Sequence, residues 1–159
     1  MAKKATKTSK VRTKNTLETN LTPFISSPNT YMGSEYFVTS ALLRMGYDAS
    51  LVTGSQKSAD IMVFGKYKYV TLDVKGSIAA STYRVNNLKI APNHFYVFIT
   101  FNNAIEDLSA SPTIYVVPSA DIPKLYSKVA KDKNVNYPTL RKNSAKYLSQ
   151  WQLMHPYLV

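Results

Sequence analysis

SADIMVFGKYKYVTLDVKGS, residues 58–77, reads as two β-strands around a tight turn. Ala59 to Phe64 and Tyr69 to Lys75 are rich in Ile, Val, Leu and aromatic residues, and Gly65-Lys66 marks the reversal. A four-residue loop, Gly65 to Lys68, pairs Phe64 with Tyr69, Met62 with Thr71 and Asp60 with Asp73. A two-residue loop instead pairs Asp60 with Thr71 and leaves Asp73 on the adjacent diagonal. Strand side chains alternate, so either even-length loop puts Asp60, Asp73 and Lys75 on one sheet face. Ala59, Ile61, Val63, Val70, Leu72 and Val74 then form the other face, which is wholly apolar and belongs in a core. The acidic face is not arranged for stability, because like charges opposite each other are unfavourable. Two carboxylates at that spacing need a counter-charge. A divalent cation held by oxygens answers the need, with Lys75 as a partial substitute. The alternative is that both aspartates sit at frayed strand ends, with Lys75 neutralising one of them.

Upstream of this hairpin, Tyr31 to Met45 is predicted to be a helix. Tyr36 or Phe37, Val38, Ala41, Leu42 and Met45 recur at spacings of three and four, and Gly46 supplies a left-handed stop. Residues 21–30, with Pro23 and Pro28, read as a connector without regular structure. Tyr47 to Val52 is the strand before the hairpin. Downstream, His94 to Phe101 (HFYVFITF) is continuously apolar and aromatic, as suits a strand covered on both faces. Thr113 to Val117 is a further buried strand. Two amphipathic helices are expected after it. The first is capped by Asp121, has Pro123 in its opening turn and buries Ile122, Leu125 and Val129; the second carries Leu140, Tyr147, Leu148 and Trp151 on one stripe. Residues 77–92 are ambiguous, with Thr82 to Asn86 a candidate short strand. These elements describe an α/β sandwich with a mixed sheet.

The chain has 159 residues, 45% of them apolar, enough for one well-cored domain, read here as residues 21–159. No cysteine is present, which excludes disulfides, thiolate metal sites and cysteine nucleophiles. His94 and His155 alone are too few for a structural zinc site, and His94, opening a buried strand, reads as structural. No apolar run approaches the ~18 residues of a membrane span. No apolar segment follows Lys3 and Lys4 as a secretory signal requires, so a soluble, cytoplasmic protein is expected. Twenty Lys and Arg against nine Asp and Glu give a formal charge of +11, which favours a polyanionic partner, nucleic acid before an acidic membrane surface. Residues 1–20 hold six basic residues and one acid, with too few aliphatics to offset ordering. They are expected to be a disordered tail, either a phosphate-tracking arm or a solubilising extension.

The succession GSEYFVTSALLRMGY (33–47), SADIMVF (58–64) and VTLDVKGS (70–77) resembles the PD-(D/E)xK nuclease superfamily, which includes type II restriction endonucleases and archaeal Holliday-junction resolvases. The match spans roughly residues 31–117, and its motifs are short. The resemblance implies a restriction-endonuclease-like αβββαβ core, a mixed sheet flanked by helices, with added C-terminal helices. Asp60 matches the motif aspartate, though Ala59 stands where proline is usual. Asp73-Val74-Lys75 matches the acid-x-lysine, with Asp where Glu is commoner, and Glu35 matches the helix acid of the resolvase-like branch. Ile78 to Asn93 departs from the pattern, since no helix is evident there.

On this resemblance Asp60, Asp73 and the Val74 carbonyl would coordinate Mg²⁺, with Mn²⁺ as a substitute. Lys75 would orient or deprotonate the attacking water, and Glu35 would hold a metal-bound water. For Glu35 a first-turn acid favoured by the helix dipole is an equal alternative. Gln56, Lys57 and Ser58 could meet nucleic acid, as could Tyr83, Arg84 and Lys89, beside Asn86, which mix aromatic and basic groups; loop solvation is the alternative for the first three. The function implied is a metal-dependent endonuclease acting on DNA, although the same chemistry serves RNA. Two alternatives stand beside it, a non-catalytic nucleic-acid-binding module and a basic structural protein. A homodimer suits cutting both strands of a duplex.

Overall fold

The computed structural model describes residues 27–54, 58–126 and 133–159. The basic tail and Val129 lie outside them. Five strands form the main sheet: β1 (Asp48–Leu51), β2 (Ile61–Phe64), β3 (Tyr69–Ser77), β5 (His94–Thr100) and β6 (Thr113–Pro118), side by side in that order. β3 and β5 run parallel and every other pair is antiparallel, so the sheet is mixed. β4 (Thr82–Arg84) and β7 (Asn134–Asn136) pair separately as a two-stranded ribbon. No described helix is long and apolar enough to cross a membrane.

Helix α1 spans Ser27–Arg44, starting four residues earlier than expected. Pro28 lies in its first turn, where a missing N–H breaks no intrahelical bond. The helix ends as foreseen at Gly46 (φ 85°): Gly46 N–H donates to Leu43 O and Tyr47 N–H to Leu42 O, both at 3.0 Å. Its buried stripe differs from the apolar one read from sequence. Thr30, Ser34, Val38 and Leu42, four residues apart, face inward, whereas Tyr36 and Met45 are exposed. The buried Ser34 hydroxyl donates to Thr30 O (2.7 Å), so a polar face can approach the sheet without an unpaired group.

Two cores lie on the two faces of the sheet. One joins Val38 and Leu42 to Ile61, Val63, Leu72 and Val97. The other gathers Tyr83, Tyr96, Phe98, Val117, Val135 and Leu140 beneath the β4–β7 ribbon and the C-terminal segments. β5 is buried along its whole length, which accounts for its unbroken apolar sequence. The helix expected from the family resemblance between the third strand and β5 is absent. Residues 78–93 instead hold β4 and turns: the β-branched Thr82 suits a strand, Asn87 takes φ 54°, and Pro92 bars helix continuation.

The two predicted C-terminal helices are also corrected. Ser119–Leu125 is a 3-10 helix, and Asp121 provides no cap. The second breaks into α2 (Tyr137–Lys142), α3 (Ser144–Tyr147) and a 3-10 turn at Trp151–Tyr157. Ser149 at φ 51° turns the chain, and Leu148 is 40% exposed rather than on a buried stripe. The final segment docks through buried Met154, a 2.7 Å contact between His155 Nε2 and Tyr47 Oη, and Leu158 O, which accepts from Lys66 N–H.

Asp121 accepts hydrogen bonds from Lys124 (2.6 Å), Lys146 (2.9 Å) and Tyr147 (3.1 Å), tying the 3-10 helix to α3. Burial would raise its carboxyl, but these three donors outweigh burial and hold it at about 2. A carboxyl held below its unfolded value stabilises the fold above that value and stops doing so as pH falls through the folded one. Asp121→Asn is therefore expected to cost about 1 kcal/mol near neutral pH. In thermal melts, the gap to wild type should close between about pH 4 and pH 2.

Candidate active site

The loop between β2 and β3 is the four-residue one. Phe64 pairs with Tyr69, Met62 with Thr71 and Ile61 with Leu72, and Gly65 N–H donates to Lys68 O at 2.8 Å. Asp60 N–H donates to Leu72 O (2.8 Å), the carbonyl already opposite Ile61, and Asp60 O accepts from Val52 N–H (2.9 Å). The ladder therefore shifts by one residue at Asp60, and the paired register ends at Ile61–Leu72, short of the expected Asp60–Asp73 pair. Ile61, Val63, Val70 and Leu72 are wholly buried, as the alternation requires.

Asp60 is 9% exposed, and its Oδ2 accepts from Val74 N–H at 2.7 Å. That amide lies between Asp73 and Lys75, so one short bond locks the end of β2 to the acid-x-lysine segment. Asp73 and Lys75 are partly exposed, with Lys75 Nζ 3.9 Å from Asp73 Oδ2 and 6.0 Å from the centre of the Tyr96 ring. The ammonium is thus a counter-charge for Asp73.

Asp73 has a neighbour that the sequence reading set aside as structural. His94, in register with Thr71 on the adjacent strand, is wholly buried, and its Nε2 lies 3.9 Å from Asp73 Oδ2. Burial, then the charges of Lys89 and Lys75, push this imidazole down to about 4, so it is neutral at physiological pH and the contact is not an ion pair.

Glu35 reaches the same region because α1 packs tightly on the end of β3. A side chain at Gly76 would place Cβ 1.9 Å from Ser34 Oγ, so glycine permits this approach. Glu35 lies in the middle of α1, whose first turn carries no acid, and the dipole alternative for it is removed. Glu35, Asp60, Val74 and Lys75 line a cleft of about 450 Å³ together with Tyr31, Thr82, Arg84 and Asn86, and Asp73 is not among its lining residues.

Among the other sequence candidates, Gln56 and Lys57 lie outside the described residues, and Ser58 is exposed beside them. Arg84 is exposed on the cleft, as a nucleic-acid contact requires. Tyr83 is not available for base stacking: it is 3% exposed, hydrogen-bonded to Thr100 and packed edge-on against Phe98. Strand alternation turns Tyr83 inward when Arg84 faces out. Lys89 is exposed, and its backbone N–H donates to Tyr96 Oη at 3.0 Å. Tyr31 and His94 escaped the sequence reading; an imidazole at the head of an apolar strand was the one available signal for His94.

The donor chemistry of Asp60, Asp73 and the Val74 carbonyl fits a hard divalent cation, since every donor is oxygen. Among the described residues no group of three or more His, Asp and Glu side chains is arranged to hold a metal ion.

This topology is shared with a solved nuclease. The structure of the bacterial homing endonuclease I-Ssp6803I superposes with a TM-score of 0.54 at 13% identity, over 83% of this chain and 94% of that one. The likeness is one of fold. No family model and no curated protein matches the sequence.

Proposed function

We propose that this protein is a metal-dependent endonuclease that hydrolyses phosphodiester bonds of DNA. One observation supports the reading: in a basic protein the Asp60 carboxylate accepts, at 2.7 Å, from the amide that lies between Asp73 and Lys75, and Lys75 stands 3.9 Å from Asp73. Paired acids repel a phosphate backbone, so a purely binding surface would not favour them. The fold shared with an endonuclease supports the same reading.

Asp60, Asp73 and the Val74 carbonyl would hold Mg²⁺, or Mn²⁺ in its place. When bound, such an ion polarises the scissile phosphate and acidifies a water. The other steps belong to the chain. Asp60, fixed by Val74 N–H, keeps the two strand ends aligned. The Lys75 ammonium holds the attacking water in line and steadies the charge developing on the phosphate. Glu35 orients water on the helix side of the cleft, and Arg84 neutralises a backbone phosphate across from it.

Supercoiled plasmid and duplex oligonucleotides should be cut with Mg²⁺ or Mn²⁺, and cleavage should stop with EDTA. A second reading, a non-catalytic nucleic-acid-binding module, draws on the absence of a three-residue acid cluster among the described residues. Retained binding with no cleavage of DNA or RNA under either metal would establish that second reading instead.

A further inference from the structure

We infer that His94 is the positioning residue of Asp73: its buried imidazole turns an Nε2–H toward the Asp73 carboxylate and fixes that carboxylate's orientation. The inference deepens the proposed nuclease reading, but it concerns contacts within the protein and can be judged without a metal.

His94 stands at a position where an apolar residue would be expected. It is wholly buried, opens a strand buried throughout, and packs edge-on against Tyr96 at 5.1 Å between ring centres. One ring nitrogen has a partner: Nδ1 lies 2.8 Å from Thr71 Oγ1. The other, Nε2, is buried with no hydrogen-bond partner, which is costly for a group that an apolar side chain would avoid. Asp73 Oδ2 lies 3.9 Å from that nitrogen.

The tautomer follows from electrostatics. A neutral imidazole carries one N–H and one lone pair. Were Nδ1 to donate to Thr71, the Nε2 lone pair would point at a carboxylate, which is repulsive. When the Thr71 hydroxyl donates to Nδ1, Nε2 carries the hydrogen and meets the carboxylate favourably. The chain of contacts then runs Thr71 O–H to His94 Nδ1, and His94 Nε2–H to Asp73. At 3.9 Å the last contact is electrostatic, and a swing of the carboxylate by about 1 Å makes it a hydrogen bond.

Lys75 approaches the same oxygen, Oδ2, at the same 3.9 Å. One carboxylate oxygen therefore faces a positive or partly positive group from its own strand and from the adjacent parallel strand. That arrangement restricts the plane of the carboxylate. An outer partner of this kind is what a cation-binding carboxylate requires for a fixed orientation.

Two measurements test the inference. Long-range ¹H–¹⁵N correlation spectra of metal-free protein should show His94 as the Nε2–H tautomer at neutral pH, and Asp73→Asn should move its Nε2 resonance. An Nδ1–H tautomer, or a resonance indifferent to Asp73→Asn, overturns the assignment. Separately, Mn²⁺ affinity is read from the paramagnetic signal of free Mn²⁺. His94→Phe keeps a buried ring without an N–H, whereas His94→Gln restores a donor near Nε2. Affinity should fall about 10–100-fold in His94→Phe and recover in His94→Gln, with both variants melting as cooperatively as wild type. Wild-type affinity in His94→Phe overturns the inference. If His94→Phe fails to fold, the tautomer and its response to Asp73→Asn decide. Wild-type protein that binds no Mn²⁺ overturns the nuclease reading, while the spectra still judge His94.

Discussion

Lys75→Met is expected to lower phosphodiester cleavage by about 10²-fold or more while nucleic-acid and Mn²⁺ binding persist. Methionine keeps most of the aliphatic stem against Tyr96 and removes only the ammonium 3.9 Å from Asp73. Cation binding should hold or strengthen, because a competing positive charge leaves the carboxylates. The same removal takes a counter-charge from Asp73, so the metal-free variant should melt below wild type and regain stability when Mn²⁺ is added. Single-turnover cleavage of a labelled duplex, alongside binding in Ca²⁺, separates these effects. Cleavage at the wild-type rate excludes Lys75 from the chemistry.

Gly76→Ala should be the most damaging small substitution near the site. Its Cβ would stand 1.9 Å from Ser34 Oγ and 2.7 Å from Ser34 Cβ, so α1 must retreat from β3. Overpacking of this kind costs about 1–3 kcal/mol. It also carries Glu35 away from Asp60 and Lys75, so cleavage should fall even where the protein remains folded. Ser34→Gly in the same chain removes both clashing atoms and should restore activity, at about 1 kcal/mol for glycine within a helix. Gly33→Ala is the internal control: no atom lies within 4 Å of its Cβ, and the change should stabilise α1 by roughly 0.5–1 kcal/mol. Melting temperatures and cleavage rates of the four proteins check the scheme. Equal stability of Gly76→Ala and wild type would show that α1 does not press on β3.

Much of the site was legible because the β2–β3 hairpin is a local structure. Its loop length and side-chain alternation are properties of consecutive residues, so the four-residue loop and the buried face of Ile61, Val63, Val70 and Leu72 follow from residues 58–77 alone, whereas the shift of the ladder at Asp60 does not. The Gly46 stop of α1 was legible for the same reason. The unbroken apolar run of β5 likewise announced burial on both faces, since no polar face was left for solvent.

What escaped the sequence depends on contacts between distant segments. The inward face of α1 is partly polar, because a helix pressed against Gly76 needs small side chains more than apolar ones. The ribbon of β4 and β7 brings together segments some fifty residues apart (Thr82 faces Asn136), and only that pairing turns Tyr83 into the core and Arg84 onto the cleft. The C-terminal helices were read from an apolar stripe, but docking onto the sheet broke that stripe into short turns. His94 reaches Asp73 only because β5 lies parallel to β3 with His94 level with Thr71. Alternation along one strand is written in consecutive residues; which strand lies beside it is decided by the packing of the whole chain.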